Sequence, residues 1–245
     1  MEMITLNKEN IDKEHICCAI SSNNDIQVKS KKAWLLEQFE QGLIFTKMDV
    51  RGKCFIEYLP IENAWIALNG KNMMYINCLW VAGKYQGLGY AKALLESCKE
   101  ECVKQNKDGI VILSNMKKSA YVMDYKFLVK HGFKSVDTWG DYELMYYAFH
   151  DGDTPSFNLC KPQHDGFTLY YTHQCPFNAK YVEKVKEHCV ENNITLQIIH
   201  IESRQQALEV PTPFTTYSLF YKEQFITREV MTPQKFDKIR CELNG

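Results

Sequence analysis

The stretch Val81-Ala82-Gly83-Lys84-Tyr85-Gln86-Gly87-Leu88-Gly89-Tyr90-Ala91 constrains this chain more than any other. Before it runs Met73-Met74-Tyr75-Ile76-Asn77-Cys78-Leu79-Trp80, an apolar run that predicts a buried strand. After it, Ala91, Leu94, Leu95, Cys98 and Cys102 fall on one face of a helix. A strand, a glycine-bearing turn and a helix N-terminus together make an anion site. The turn's backbone N–H groups are free, the helix dipole adds partial positive charge, and glycines leave room for a phosphate. A phosphorylated cofactor is therefore expected at residues 81–91. The alternative is a tight strand-to-helix turn with no ligand.

The spacing narrows the cofactor. No GxxxxGK run followed by Ser or Thr occurs, so a P-loop is excluded. A dinucleotide fingerprint, GxGxxG, finds Gly87 and Gly89 but Lys92 in the third place. What fits is Gln-x-x-Gly-x-Ala, read as Gln86, Gly89 and Ala91. It resembles the pyrophosphate-binding signature of the GNAT superfamily of acetyl-CoA-dependent N-acetyltransferases.

The element order extends the resemblance. A helix is predicted over 31–41, strands over 43–46, 54–59, 64–68 and 73–81, a helix over 89–105 and a strand over 110–114. A helix over 119–131, closed by Gly132, and two strands around Gly140-Asp141 complete the unit. This is the order of the GNAT fold, a mixed-sheet α/β class, and the resemblance covers about residues 1–149. Lys130-His131-Gly132-Phe133 looks like the Gly-Phe with which many members end their last helix.

Residues 150–165 are rich in Gly, Pro and polar side chains and read as a linker. Residues 166–245 form a second unit of βαβ-αββα order, similar to the thioredoxin-like fold and closest to glutaredoxins. The resemblance implies Cys175-Pro176-Phe177-Asn178 at a helix start and a cis-proline, Pro211 or Pro213, before the third strand. A GNAT domain followed by a reduced thioredoxin-like domain resembles the bacterial YoaP-like acetyltransferases. The fusion suggests that the second unit binds or covers the acceptor.

Net charge is −1, which gives no electrostatic reason to expect nucleic acid or an anionic membrane as partner. No apolar run reaches the ~18 residues of a membrane span, and the first ten residues lack a signal peptide's basic start and apolar core. The ten cysteines include no CxxC pair, so no metal is expected and the thiols read as those of a reduced cytoplasmic protein. Neither the acceptor nor the oligomeric state leaves a signature in the sequence.

Acetyl transfer from a thioester needs an anchored donor, a neutral amine, and hydrogen-bond donors for the oxyanion and the leaving thiolate. The resemblance implies that backbone groups of Leu79, Trp80 and Val81 pair with the pantetheine amides. It also implies that the N–H groups of Gln86, Gly87, Leu88, Gly89, Tyr90 and Ala91 face the pyrophosphate. Lys84 reads either as an added charge for the phosphates or as a solvated loop lysine. The strand 73–81 lacks the glutamate that some members carry there; Glu57 and Glu62 are the candidate bases, each also readable as a surface carboxylate. Many members carry a proton-donating tyrosine where this chain has Leu128. Tyr121 and Tyr125 are expected on the same helix, and Tyr125, one turn away, is the candidate acid. Direct transfer to an amine of a small molecule or peptide follows.

A second reading gives the work to Cys175, as a thiol-dependent redox or thiol-binding protein with the first unit as an acyl-CoA-binding module. A helix N-terminus would lower that thiol's pKa. Asn178 stands where a resolving cysteine would be, which argues against two-cysteine chemistry.

Overall fold

The computed structural model describes residues 2–117 and 121–244. In chain order the first unit runs β1 (Met3–Leu6), α1 (Ile26–Phe39), β2 (Ile44–Met48), β3 (Cys54–Pro60), β4 (Leu68–Asn69) and β5 (Met73–Val81). It continues with α2 (Tyr90–Lys104), β6 (Gly109–Asn115), β7 (Met123–Asp124), α3 (Tyr125–Lys130), β8 (Lys134–Trp139) and β9 (Tyr142–Ala148). Its mixed sheet has the order β1-β2-β3-β5-β6-β9-β8, with β7 added at the end of β6. The fold class is α/β, as the element order implied.

β3 shows how the sheet divides its side chains. Cys54, Ile56 and Tyr58 pack with Leu94, Leu95, Cys98 and Cys102 of α2, whereas Phe55 and Leu59 join the core beneath α1. Strand residues alternate faces, so Glu57 shares the α1 side.

Three elements differ from expectation. α1 starts at Ile26 rather than Lys31, because Asp25 caps it by accepting from the Gln27 N–H at 2.8 Å. The early turns were hidden because Lys31 and Lys32, both buried, interrupt its apolar pattern. The strand expected over 64–68 shrinks to β4. Ala64 to Ala67 are buried as irregular chain after a 3-10 turn at Ile61–Asn63, with Trp65 edge-on to Trp34, ring centres 6.0 Å apart. The helix expected over 119–131 is described only as α3, capped by Asp124, which accepts from the Phe127 N–H at 2.8 Å. Positions 119–120 lie outside the described residues, and Tyr121, at φ +68°, stands off the helix.

The 150–165 segment carries β10 (Ser156–Phe157), which pairs with β4, and Phe157 N–H donates to Asp137 at 2.8 Å. After it come β11 (Phe167–Tyr171), α4 (Pro176–Glu191), β12 (Leu196–His200), α5 (Arg204–Leu208), β13 (Tyr217–Tyr221), β14 (Gln224–Thr227) and α6 (Pro233–Asn244). Their sheet has the order β12-β11-β13-β14, with β11 parallel to β12 and antiparallel to β13. No cis peptide bond occurs among the described residues, so the cis-proline expected at Pro211 or Pro213 is not found. Both prolines are buried in a chain segment that runs on to Thr216 before β13 begins, longer than the expected pattern allows.

The two units share one apolar core. Tyr170, Ile201, Val210 and Phe220 pack in the same cluster as Leu35, Trp65 and Tyr142. Burying each such side chain contributes about 1.5–3 kcal/mol. Polar contacts close the seam: Thr215 Oγ1 donates to the Trp65 carbonyl at 2.7 Å, and Arg228 pairs with Asp141 at 2.5 Å while lying 4.3 Å over the Tyr142 ring. No helix among the described residues is long and apolar enough to cross a membrane.

Candidate active site

β5 and β6 pair in parallel only as far as Ile76 opposite Ile112. Beyond that point β6 continues and takes β7 as its partner, Ser114 opposite Met123. The strands therefore part, and the edge of β5 from Asn77 to Val81 presents unpaired backbone to the gap. A groove of about 900 Å³ occupies it, walled by Leu79, Trp80 and Val81 on one side and by Met123 and Phe127 on the other.

The glycine turn closes one end of this groove. Gln86 braces it: its side chain donates to the Val81 carbonyl at 3.1 Å, and its own N–H donates to Gly83 at 3.1 Å. The N–H of Gln86, counted in the sequence reading as free, is thus committed to the turn. Gly87 (φ +78°) and Gly89 (φ +80°) adopt left-handed conformations that favour glycine. Among the described residues, no acceptor within the protein meets the N–H groups of Gly87, Leu88, Gly89, Tyr90 and Ala91. Gly89 is the N-cap of α2, so the dipole of that helix converges on the same place. Gly87, Gly89, Tyr90 and Ala91 line the groove; Leu88 and Lys84 do not. Leu88 is exposed, and the Lys84 ammonium lies 5.3 Å over the Tyr85 ring. Lys92 and Lys130, which the sequence reading passed over, line the groove instead. Lys92 sits one residue beyond the signature, which was the available signal.

A second centre lies where β5 passes β3. The register shifts there: Glu57 pairs with Cys78 but Tyr58 with Ile76, leaving Asn77 as an extra residue. A bulge of this kind puts two neighbouring side chains against one on the partner strand. Asn77 Nδ2 donates to Glu57 Oε1 at 3.0 Å, and Cys78 joins the α1-side core. The other carboxylate oxygen takes the Lys31 ammonium at 2.5 Å, both side chains being 1% exposed. Lys31 lies 4.2 Å over the Trp34 ring. Nothing in the sequence marks Lys31 as a site residue, since the apolar spacing puts the start of the helix on it. Its spacing from Val28 and Leu35 puts it on the buried face.

A pocket of about 110 Å³ adjoins this pair. Trp80, Phe55 and Lys53 wall it from the first unit, and Gln174, Cys175 and Phe177 from the second. A cavity of about 30 Å³ adjoins both, sharing Trp80 and Met123 with the groove and Trp80 and Tyr121 with the pocket.

The remaining candidates fall outside this arrangement or change character within it. Glu62 is exposed to solvent at the 3-10 turn and accepts from the Asn72 N–H at 2.6 Å, away from both cavities. Tyr125 packs on the α2 side and lines none of the three spaces, whereas Tyr121 lines the small cavity and the pocket. Partial burial raises the Tyr121 hydroxyl's pKa, against a smaller pull from the Val230 N–H. Cys175 is the N-cap of α4, yet its pKa is raised to about 11 rather than lowered. Desolvation outweighs the Phe177 N–H and the charge of Lys31. Asn178 is a buried strut, donating to the carbonyls of Thr172 (2.9 Å) and Thr216 (2.6 Å).

The acetyltransferase (GNAT) family model matches residues 9–133, and a YoaP-like family model matches residues 195–238. An uncharacterized N-acetyltransferase of Bacillus subtilis, YoaP, is 37% identical over 243 residues, covering 96% of this chain and 97% of its own. Among solved structures, the PaiA N-acetyltransferase of Thermoplasma acidophilum in complex with coenzyme A is 17% identical, with a TM-score of 0.42 over 61% of this chain and 100% of its own. The Escherichia coli YhbS acetyltransferase in complex with CoA is 12% identical, with a TM-score of 0.42 over 64% of this chain and 89% of its own. By family model and by a relative matched along nearly its whole length, the chain belongs to the GNAT family of acetyltransferases.

Proposed function

We propose that the chain transfers acetyl from acetyl-CoA directly to the amine of a small molecule or peptide. In this reading residues 1–149 bind the donor, 150–165 form the link, and 166–245 form a thioredoxin-like unit. The β12-β11-β13-β14 order supports the last of these. The observation that carries the reading is a row of three adjoining spaces that share lining residues. They run from the unpaired N–H groups of Gly87 to Ala91, along the free edge of β5, to the pocket beside Glu57.

The backbone edge at Leu79, Trp80 and Val81 holds the pantetheine amides, and the turn holds the diphosphate with charge from Lys92 and Lys130. The Glu57 carboxylate, oriented by Asn77 and Lys31, takes the proton of the incoming ammonium so that a neutral amine attacks the thioester carbon. Tyr121, kept protonated by its raised pKa, hands a proton to the departing thiolate; Tyr125 has no comparable exposure to these spaces. Acetyl-CoA should raise the melting temperature of the full chain, and amine-dependent release of CoA should follow. A melting temperature indifferent to millimolar acetyl-CoA would remove the reading.

A further inference from the structure

The pocket beyond Trp80 is a joint product of the two units. Cys175 and Phe177 reach it from the start of α4, and Phe214 and Thr216 from the segment before β13. The shared core and the Thr215–Trp65 hydrogen bond hold those side chains against the first unit as a fixed wall. The volume of about 110 Å³ amounts to roughly four waters at ~30 Å³ each, less than the ~150 Å³ cavity that takes a benzene ring.

Chemistry limits the occupant further. Aromatic rings supply much of the lining: Phe55, Trp80, Phe177 and Phe214. Glu57 already gives one oxygen to Lys31 at 2.5 Å and the other to Asn77 at 3.0 Å, so it can serve the one ammonium it deprotonates but not a second. Lys53, whose ammonium is 5.6 Å from the Phe177 ring centre, adds positive charge to the wall. A polyamine would set its second ammonium against Lys31 or Lys53, and like charges about 4 Å apart repel by ~1–4 kcal/mol.

We infer that residues 166–245 supply the acceptor-selecting wall of the active site, and that the acceptor is a small monoamine with a short apolar body, about the size of isobutylamine. This rests on the acetyl-transfer reading above. Phe177 is the specificity-determining residue, because it faces the pocket from the second unit and stands on the rigid first turn of a 16-residue helix.

The test uses the full chain with acetyl-CoA and reads CoA release for isobutylamine, spermidine and a blocked lysine tetrapeptide. Isobutylamine should show the highest kcat/KM, by about tenfold or more. Phe177→Trp should raise its KM by about tenfold with the KM for acetyl-CoA unchanged. Phe177→Ala, which enlarges the pocket, should shift preference toward the bulkier 2-phenylethylamine. The inference is overturned if spermidine or the peptide is preferred, or if both Phe177 variants leave the acceptor KM unmoved. It is also overturned if none of the amines is acetylated while acetyl-CoA still stabilises the protein. Failure of acetyl-CoA to bind at all is a different result, one that removes the donor reading and this inference with it.

Discussion

The donor groove and the junction pocket are neighbours built on opposite plans. The groove's donor-binding parts come from one short stretch, residues 79–91, and are backbone groups: the edge of β5 and the N–H row from Gly87 to Ala91. The pocket is made by side chains from α1, β3, β5, the start of α4 and the segment before β13, with Lys31 and Thr216 far apart in sequence. A backbone site depends on local conformation, so glycine placement and strand edges suffice to make it. A side-chain site depends on tertiary packing and is coupled to the stability of the whole chain.

That coupling gives the largest expected effect. Lys31→Met leaves Glu57 as a buried charge without its partner and should cost about 3–5 kcal/mol of stability. Adding Glu57→Leu should recover most of that loss while abolishing acetyl transfer. Urea unfolding of the two singles and the double measures it. Additive losses in the double would break the comparison, since the pocket would then be no more tied to folding than the groove.

Gly87→Asp probes the other plan. A Cβ at Gly87 meets nothing within 4 Å, and aspartate tolerates the left-handed conformation better than most residues, so folding should be little affected. Its carboxylate would stand where a diphosphate is to bind. Repulsion of about 1–4 kcal/mol should weaken acetyl-CoA affinity by about a hundredfold in calorimetry. Unchanged affinity would mean that the free N–H row holds no phosphate.

The two plans also explain what could be read in advance. The strand 73–81 has the bounds that its apolar run, interrupted at Asn77, predicts, and α2 begins within one residue of the expected place. The bulge at Asn77 has no marker in the sequence. It arises from pairing between strands, and it turns Asn77 toward Glu57. Lys31 was hidden for a related reason. A lysine is expected outside, and only the partnership with Glu57 across two elements lets it lie on the face shared by Val28 and Leu35. Tyr121 was assigned to a helix from which its positive φ excludes it.

Tyr121 and Tyr125 sharpen the boundary between the two regions. Loss of a positioned proton donor costs about a hundredfold in rate or more, so Tyr121→Phe should lower kcat to that degree with little change in either KM. Tyr125→Phe, packed on the α2 side, should stay close to the parent enzyme. A reversal would move the thiolate end of the site toward α3.

The smallest effect concerns Cys175, where helix terminus and junction pocket meet. A free helix N-terminus would lower a thiol's pKa, whereas burial at the seam raises this one to about 11. The thiolate, the reactive form, exists only as pH climbs toward that value. Alkylation of Cys175 by iodoacetamide, followed by peptide mass spectrometry with Cys241 as an exposed control, should therefore be slow at pH 7. Its rate should rise about tenfold per pH unit through the alkaline range, and Cys175→Ser should change turnover by about twofold at most, as expected of a wall residue. A rate already flat at pH 7 would show a thiolate held ionised inside the pocket. The dipole of α4 would then outweigh desolvation at the seam, and the sulfur would be chemistry rather than wall.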